Sequence, residues 1–258
     1  MRKRPVALWL AAGAGYAFLY VPLIIVIVYS FNNSRLNAEW VGFTLDWYDK
    51  LFHNEEMLAA AGNSLIIALV TSLVSTVLGT MAGVAMYRYK TRLLPILVLT
   101  PIAIPEILMG VSLLIFFVLL NFTLGLASVA LAHIAFCIGF VAIVVRARLA
   151  GMDESLTEAA RDCGATPWQA FRHVTLPLIM PGVIAGALMS FITAINELSS
   201  SLILYVGRTM TMPVRIYLSV LDGQFGTASA LSTILLAATG LAVFVVFRIS
   251  DRKESAFV

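Results

Sequence analysis

The sequence predicts an all-α integral membrane protein with six transmembrane helices and short cytoplasmic helices between two of them. Three observations carry that expectation. Of 258 residues, 60% are hydrophobic and only 12% charged, about half the charged share of a soluble domain. Six apolar runs, at about 8–31, 59–86, 94–120, 127–145, 179–205 and 225–247, approach or exceed the roughly 20 residues that a helix needs to cross a bilayer. Lysine and arginine also alternate between the two sides of these runs. The segment before the first run holds Arg2, Lys3 and Arg4, the 87–93 loop Arg88, Lys90 and Arg92, the 146–178 loop Arg146, Arg148, Arg161 and Arg172, and the tail Arg248, Arg252 and Lys253. The other side keeps only Arg35, Lys50, Arg208 and Arg215. Positive residues stay on the cytoplasmic side, so both termini are expected there. An even number of crossings returns the chain to that side, and the whole of 1–258 reads as one membrane domain.

The first run follows a basic start, as a secretory signal does, but its apolar stretch exceeds the 7–15 residues of a signal core. It is expected to remain as the first span. The 32–58 loop is the longest on the outer side. Its Trp40, Trp47 and Tyr48 suit an interfacial belt, and Glu39, Asp46, Asp49, Glu55 and Glu56 give it an acidic face. The second run carries Thr71, Ser75, Gly79 and Gly83 at steps of four, with Ser72, Thr76 and Thr80 beside them. Small residues at that spacing let helix backbones approach closely, so this face is assigned to helix contact within the chain or with a second subunit. The third run contains Pro101 and Pro105, each of which removes a backbone donor and bends a helix. Cys137 and Cys163 are too few for a disulfide framework and are expected as free thiols.

The 146–178 loop is long for a bundle connection and reads as two short helices. Asp153 is placed to cap the first, which includes Leu156, Ala159 and Ala160, and Gly164 suits a left-handed exit. Thr166-Pro167 then looks like an N-cap followed by proline at the first helical position. Trp168, Phe171 and Val174 fall on one face of the second helix, which Leu176-Pro177 would end before the fifth span. An apolar ridge on a surface helix either lies in the lipid interface or fills a groove on a partner protein.

Within this loop, Glu158-Ala159-Ala160, Gly164 and Val174-x-Leu176-Pro177 resemble the EAA loop of ABC importer permeases, with valine where the family pattern has isoleucine. The resemblance implies a type I ABC importer permease fold. It also implies that Glu158, Ala159, Ala160, Gly164, Trp168, Phe171, Val174, Leu176 and Pro177 belong to coupling helices docked on an ATPase subunit. The stretches FLYVPLIIVIVYSFNNSRL, Phe43 to Tyr48 and PEILMGVSLL are similar to the second permease subunit of spermidine/putrescine importers. AINELSSSLILY and DGQFGTASALS are more similar to permeases of the ferric-iron and phosphonate branches. The partners so implied are a second permease subunit, two ATP-binding cassette ATPases, and a periplasmic or extracellular solute-binding protein. The location implied is the bacterial inner membrane, in contact with lipid, and no nucleic-acid partner is expected.

No G-x-x-x-x-G-K-[ST] phosphate loop occurs, so ATP is expected to be hydrolysed by partner subunits and no cofactor bound by this chain. His53, His133 and His173 show no metal-ligand spacing. No catalytic pair stands at one depth, and the chain is expected to be no enzyme. Two acids lie well inside the runs, Glu106 and Glu197, with no Lys or Arg beside them. Charges there are expensive and usually functional, and carboxylates favour a cationic solute. Ser190, Thr193, Glu197 and Ser200 or Ser201 step by three or four, which would put them on one helix face, with Asn196 beside it. Glu106, Glu197, Asn196, Thr193 and Ser200 are therefore the candidate solute pathway, and His133 is expected to be a satisfied buried imidazole.

Overall fold

The computed structural model describes residues 6–89 and 91–254, with side chains from Trp9 to Arg248. The basic cluster Arg2, Lys3 and Arg4, Lys90, and the side chains of Arg252 and Lys253 lie outside the described residues. Among the described residues every regular element is helical: α1 (Val6–Tyr29), α2 (Asp46–His53), α3 (Glu55–Arg88), α4 (Leu93–Ala103), α5 (Glu106–Leu119), α6 (Leu126–Ala150), α7 (Ser155–Asp162), α8 (Pro167–Ala170), a π turn (Phe171–Thr175), α9 (Leu176–Asn196), α10 (Ser199–Leu204), α11 (Met212–Leu221) and α12 (Phe225–Glu254). Five stretches are long and apolar enough to cross a membrane, and the bent pair α4–α5 makes a sixth when taken as one crossing.

Two of the expected spans are not continuous helices. Pro101 lies in the last turn of α4, and Pro105 takes an extended conformation before α5, so the third run turns by 106° between the two. The missing proline donors and the restricted residue before Pro105 explain the break. The fifth run begins earlier and ends sooner than expected. Leu176-Pro177 does not stop the second surface helix, because α8 passes through the π turn directly into α9. The wider π turn just before Pro177 accommodates its missing donor, so the helix runs on. At the other end Glu197 is extended (ψ 122°), and α10 starts afresh at Ser199.

The chain divides into two compact units. The first runs to Leu58 and includes Arg215–Ala238. In it α1 from Trp9 onward exposes nearly all its side chains, including Phe18 at 81%, an apolar cylinder suited to lipid. The loop after α1 folds on buried Asn32, whose Nδ2 donates to Glu39 O at 2.7 Å while its Oδ1 accepts from Val41 N at 2.8 Å. Trp47 and Tyr48 are half-buried and pin this loop. Trp47 Nε1 donates to Asn32 O at 2.8 Å, and Tyr48 Oη is 2.6 Å from Ser30 Oγ. Trp40 remains exposed, as do all five acids of the loop.

The second unit comprises Ala59–Val214 and the chain from Thr239, with α6 as its central helix. Glycines bring three neighbours onto α6. A Cβ on Gly79 of α3 would lie 2.5 Å from Val141 Cβ, one on Gly186 of α9 would lie 3.1 Å from Val141 Cγ1, and one on Gly139 of α6 itself would lie 2.9 Å from Val98 O of α4. The small-residue face of α3 is thus a contact within the chain, and Ser72 Oγ extends it by donating to Ala187 O at 2.8 Å. Val141, Val145, Leu149 and Ile179 form one buried cluster, and Ile67, Phe117, Val129, Ala132 and Leu204 another.

Candidate functional site

The breaks in the third and fifth runs face each other in the second unit. Glu106 opens α5, and Glu197 sits between α9 and α10. Both line one narrow cleft, with Met109, His133, Phe136 and Thr193 among its other walls. The shared helix face expected for Ser190, Thr193, Glu197 and Ser200 does not exist, because the helix stops at Asn196. Thr193 and Ser200 still reach the cleft. Asn196 does not line it: exposed, it turns back to donate to Ile192 O at 2.8 Å and to Thr239 Oγ1 at 3.4 Å.

The two carboxylates differ in environment. Glu197 is buried, and its Oε1 accepts from Ser200 N at 2.8 Å. Its Oε2 accepts from Ser200 Oγ (2.8 Å), Ser201 N (3.1 Å), Ser201 Oγ (3.2 Å) and His133 Nε2 (2.9 Å). The backbone donors are those that the first turn of α10 leaves without helical partners, so Glu197 serves as a side-chain cap. Glu106 is exposed and receives one contact among the described residues, Ser199 Oγ at 3.4 Å. No lysine or arginine lines the cleft.

His133 departs from its sequence reading: its Nε2 pairs with Glu197, but its Nδ1 is buried without a hydrogen bond, so the imidazole is only half satisfied. Two facts at hand pointed to the pairing: a buried carboxylate needs a donor, and His133 is the histidine within the apolar runs. Phe136, Met109 and Cys137, also in the cleft wall, gave no signal in the sequence, where they read as ordinary apolar filling.

The 146–178 segment lies at the ends of α3, α6 and α9. Asp153 Oδ1 accepts from Ser155 N at 3.0 Å at the start of α7, Gly164 leaves that helix at φ +90°, and Thr166 with Gln169 forms a capping box around Pro167. Glu158, Ala159, Gly164, Trp168 and Pro177 are exposed, and Ala160, Phe171, Val174 and Leu176 half-buried. Trp168 and Phe171 stack with ring centroids 5.6 Å apart. They wall an apolar groove with Met81, Val84 and Ala85 of α3. Tyr87 Oη donates to Glu154 Oε1, tying the end of α3 to the segment before α7.

The bond to Ser155 holds the Asp153 carboxyl below the usual carboxylate range. A depressed pKa means that this cap is present above the ordinary value near about 3.9 and is lost as pH falls through the lowered one. Amide exchange at Ser155 should therefore stay slow down to about pH 4 in the native chain and should be faster at neutral pH in Asp153→Ala. Equal exchange in the two proteins would remove the cap from this account.

Such a fold, with broken spans around an acidic cleft and a helical joint before α9, is that of the transmembrane subunit of a type I ABC importer. It superposes on a chain of the bacterial ABC transporter involved in import of the acidic polysaccharide alginate, with a TM-score of 0.76 at 18% identity, covering 96% of this chain and 94% of that one. Residues 75–255 match the family of binding-protein-dependent transport system inner membrane components, and the chain belongs to that family. It is 34% identical over 250 residues to the putrescine transport system permease protein PotI of Escherichia coli (strain K12), covering 93% of this chain and 89% of that protein. It is 40% identical over 224 residues to the spermidine/putrescine transport system permease protein PotC of the same strain, covering 86% and 85%. These relatives are transport permeases, and this chain is likewise a multi-pass permease subunit of an ABC importer.

Proposed function

We propose that the chain is one half of the membrane pathway of a polyamine importer. The observation that carries this is the cleft: an open carboxylate at Glu106 in a wall that Phe136 also lines, with no lysine or arginine in it. An ammonium group is attracted by the carboxylate and by an aromatic face, and a linear amine is slim enough for a narrow cleft. Identity to PotC and PotI supports the same reading. The path then runs past Glu106, Thr193, Glu197 and Ser200. A second permease subunit supplies the facing half, and a solute-binding protein delivers the amine from outside.

Two ATPase subunits dock on the two permeases from the cytoplasm, here through Glu158 to Gly164 and the ridge from Trp168 to Pro177. Because α8 continues into α9, a push on the exposed segment reaches the cleft wall along a single rod, and the two-state change is a rigid-body one. Both termini are cytoplasmic. ATP is bound and hydrolysed only by the partners, and this chain binds no cofactor and breaks no bond.

Cells lacking their own polyamine importers and expressing the whole transporter should accumulate labelled putrescine or spermidine. That uptake should be competed by linear diamines and not by phosphonates. Uptake of a phosphonate or of ferric iron without amine uptake would overturn the solute assignment.

A further inference from the structure

We propose that the two intramembrane carboxylates divide the work. Glu106 receives an ammonium group of the solute, while Glu197, held by His133, Ser200 and Ser201, is a positioning residue that fixes α10 and through it Glu106. The inference deepens the cation reading and rests on it.

Hydrogen-bonding capacity separates the two carboxylates. A carboxylate offers about four lone-pair sites. Glu197 already has five donors within hydrogen-bond distance, from Ser200 N, Ser200 Oγ, Ser201 N, Ser201 Oγ and His133 Nε2. An ammonium group could reach it only by displacing one of them, and a displaced buried donor is itself costly. Glu106 has one long contact, from Ser199 Oγ, and is open to the cleft. Its position depends on α10. Ser199 is the first residue of that helix, and α5 and α10 touch closely, since a Cβ on Gly110 would lie 3.1 Å from Ser200 Cα. His133 thus acts at a distance: it completes the set of donors on Glu197, Glu197 caps α10, and α10 sets the height of Glu106. Under this arrangement the chain offers one free carboxylate and takes one amino group, leaving the other charges of a polyamine to the facing subunit.

The test is calorimetric binding of putrescine to the assembled transporter in nanodiscs with the binding protein omitted, together with the melting temperature of each complex. Glu106→Gln should weaken putrescine binding by about tenfold or more, the loss of a charge-assisted contact, with melting unchanged. Glu197→Gln and His133→Ala should lower the melting temperature, and any weakening of putrescine binding in them should accompany that loss of stability. His133→Gln, which keeps an N–H near the position of Nε2, should restore melting. If Glu106→Gln and Glu197→Gln weaken binding equally without loss of stability, the division of work is wrong and the cation reading survives. If neither weakens it, both are wrong.

Discussion

Gly164→Val should cut ATP-driven uptake by about an order of magnitude or more while the chain still inserts and assembles. Gly164 leaves α7 in the left-handed region, at φ +90°, where an L-residue costs roughly 1–2 kcal/mol and a β-branched one is a clear outlier. No atom lies within 4 Å of where its Cβ would point, so the effect is conformational and not a clash. Two bonds close the turn, Gly164 N to Arg161 O at 2.9 Å and Ala165 N to Ala160 O at 3.1 Å. Relaxing φ would break them and swing α8 away from α7. Gly164→Asn, which tolerates this conformation better, should retain more uptake than Gly164→Val. The check is solute-stimulated ATPase activity measured beside uptake. Full coupling in Gly164→Val would show that the turn geometry is dispensable.

The second large effect is on assembly of the fold. Gly79→Ala should sharply reduce the yield and melting temperature of the solubilised protein, because its new Cβ would sit 2.5 Å from Val141 Cβ and 2.8 Å from Ile138 O. One of those atoms is backbone, so α3 must move off α6, and overpacking of this kind costs about 1–3 kcal/mol or more. Gly62→Ala is the control: same substitution, same helix, no atom within 4 Å. If the two variants melt together, the close approach of α3 to α6 is not what holds this unit.

The spans were legible because their physics is local. A run of some 20 apolar residues and a lysine–arginine bias need no knowledge of neighbours. The joint was legible for the same reason: Gly164, Thr166 and Pro167 are backbone signals read in place. The solute site was only half legible. Composition exposed Glu106 and Glu197 as anomalies, but helical spacing was then carried through Glu197, where the chain in fact turns extended. The break there depends on donors from Ser200, Ser201 and His133, the last 64 residues away, and periodicity cannot register a contact of that range. Pro177 failed in the opposite sense. It reads as a stop, yet a π turn just before it let the helix continue.

On the proposed function the 146–178 segment faces the cytoplasm and carries an ATPase. The chain provides its own probe, since Cys163 is exposed in the joint and Cys137 is buried. A membrane-impermeant maleimide should label Cys163 in inside-out vesicles and not in intact cells, and bound ATPase subunits should slow that labelling. Labelling from the outer face, or a rate indifferent to the ATPase, would contradict it.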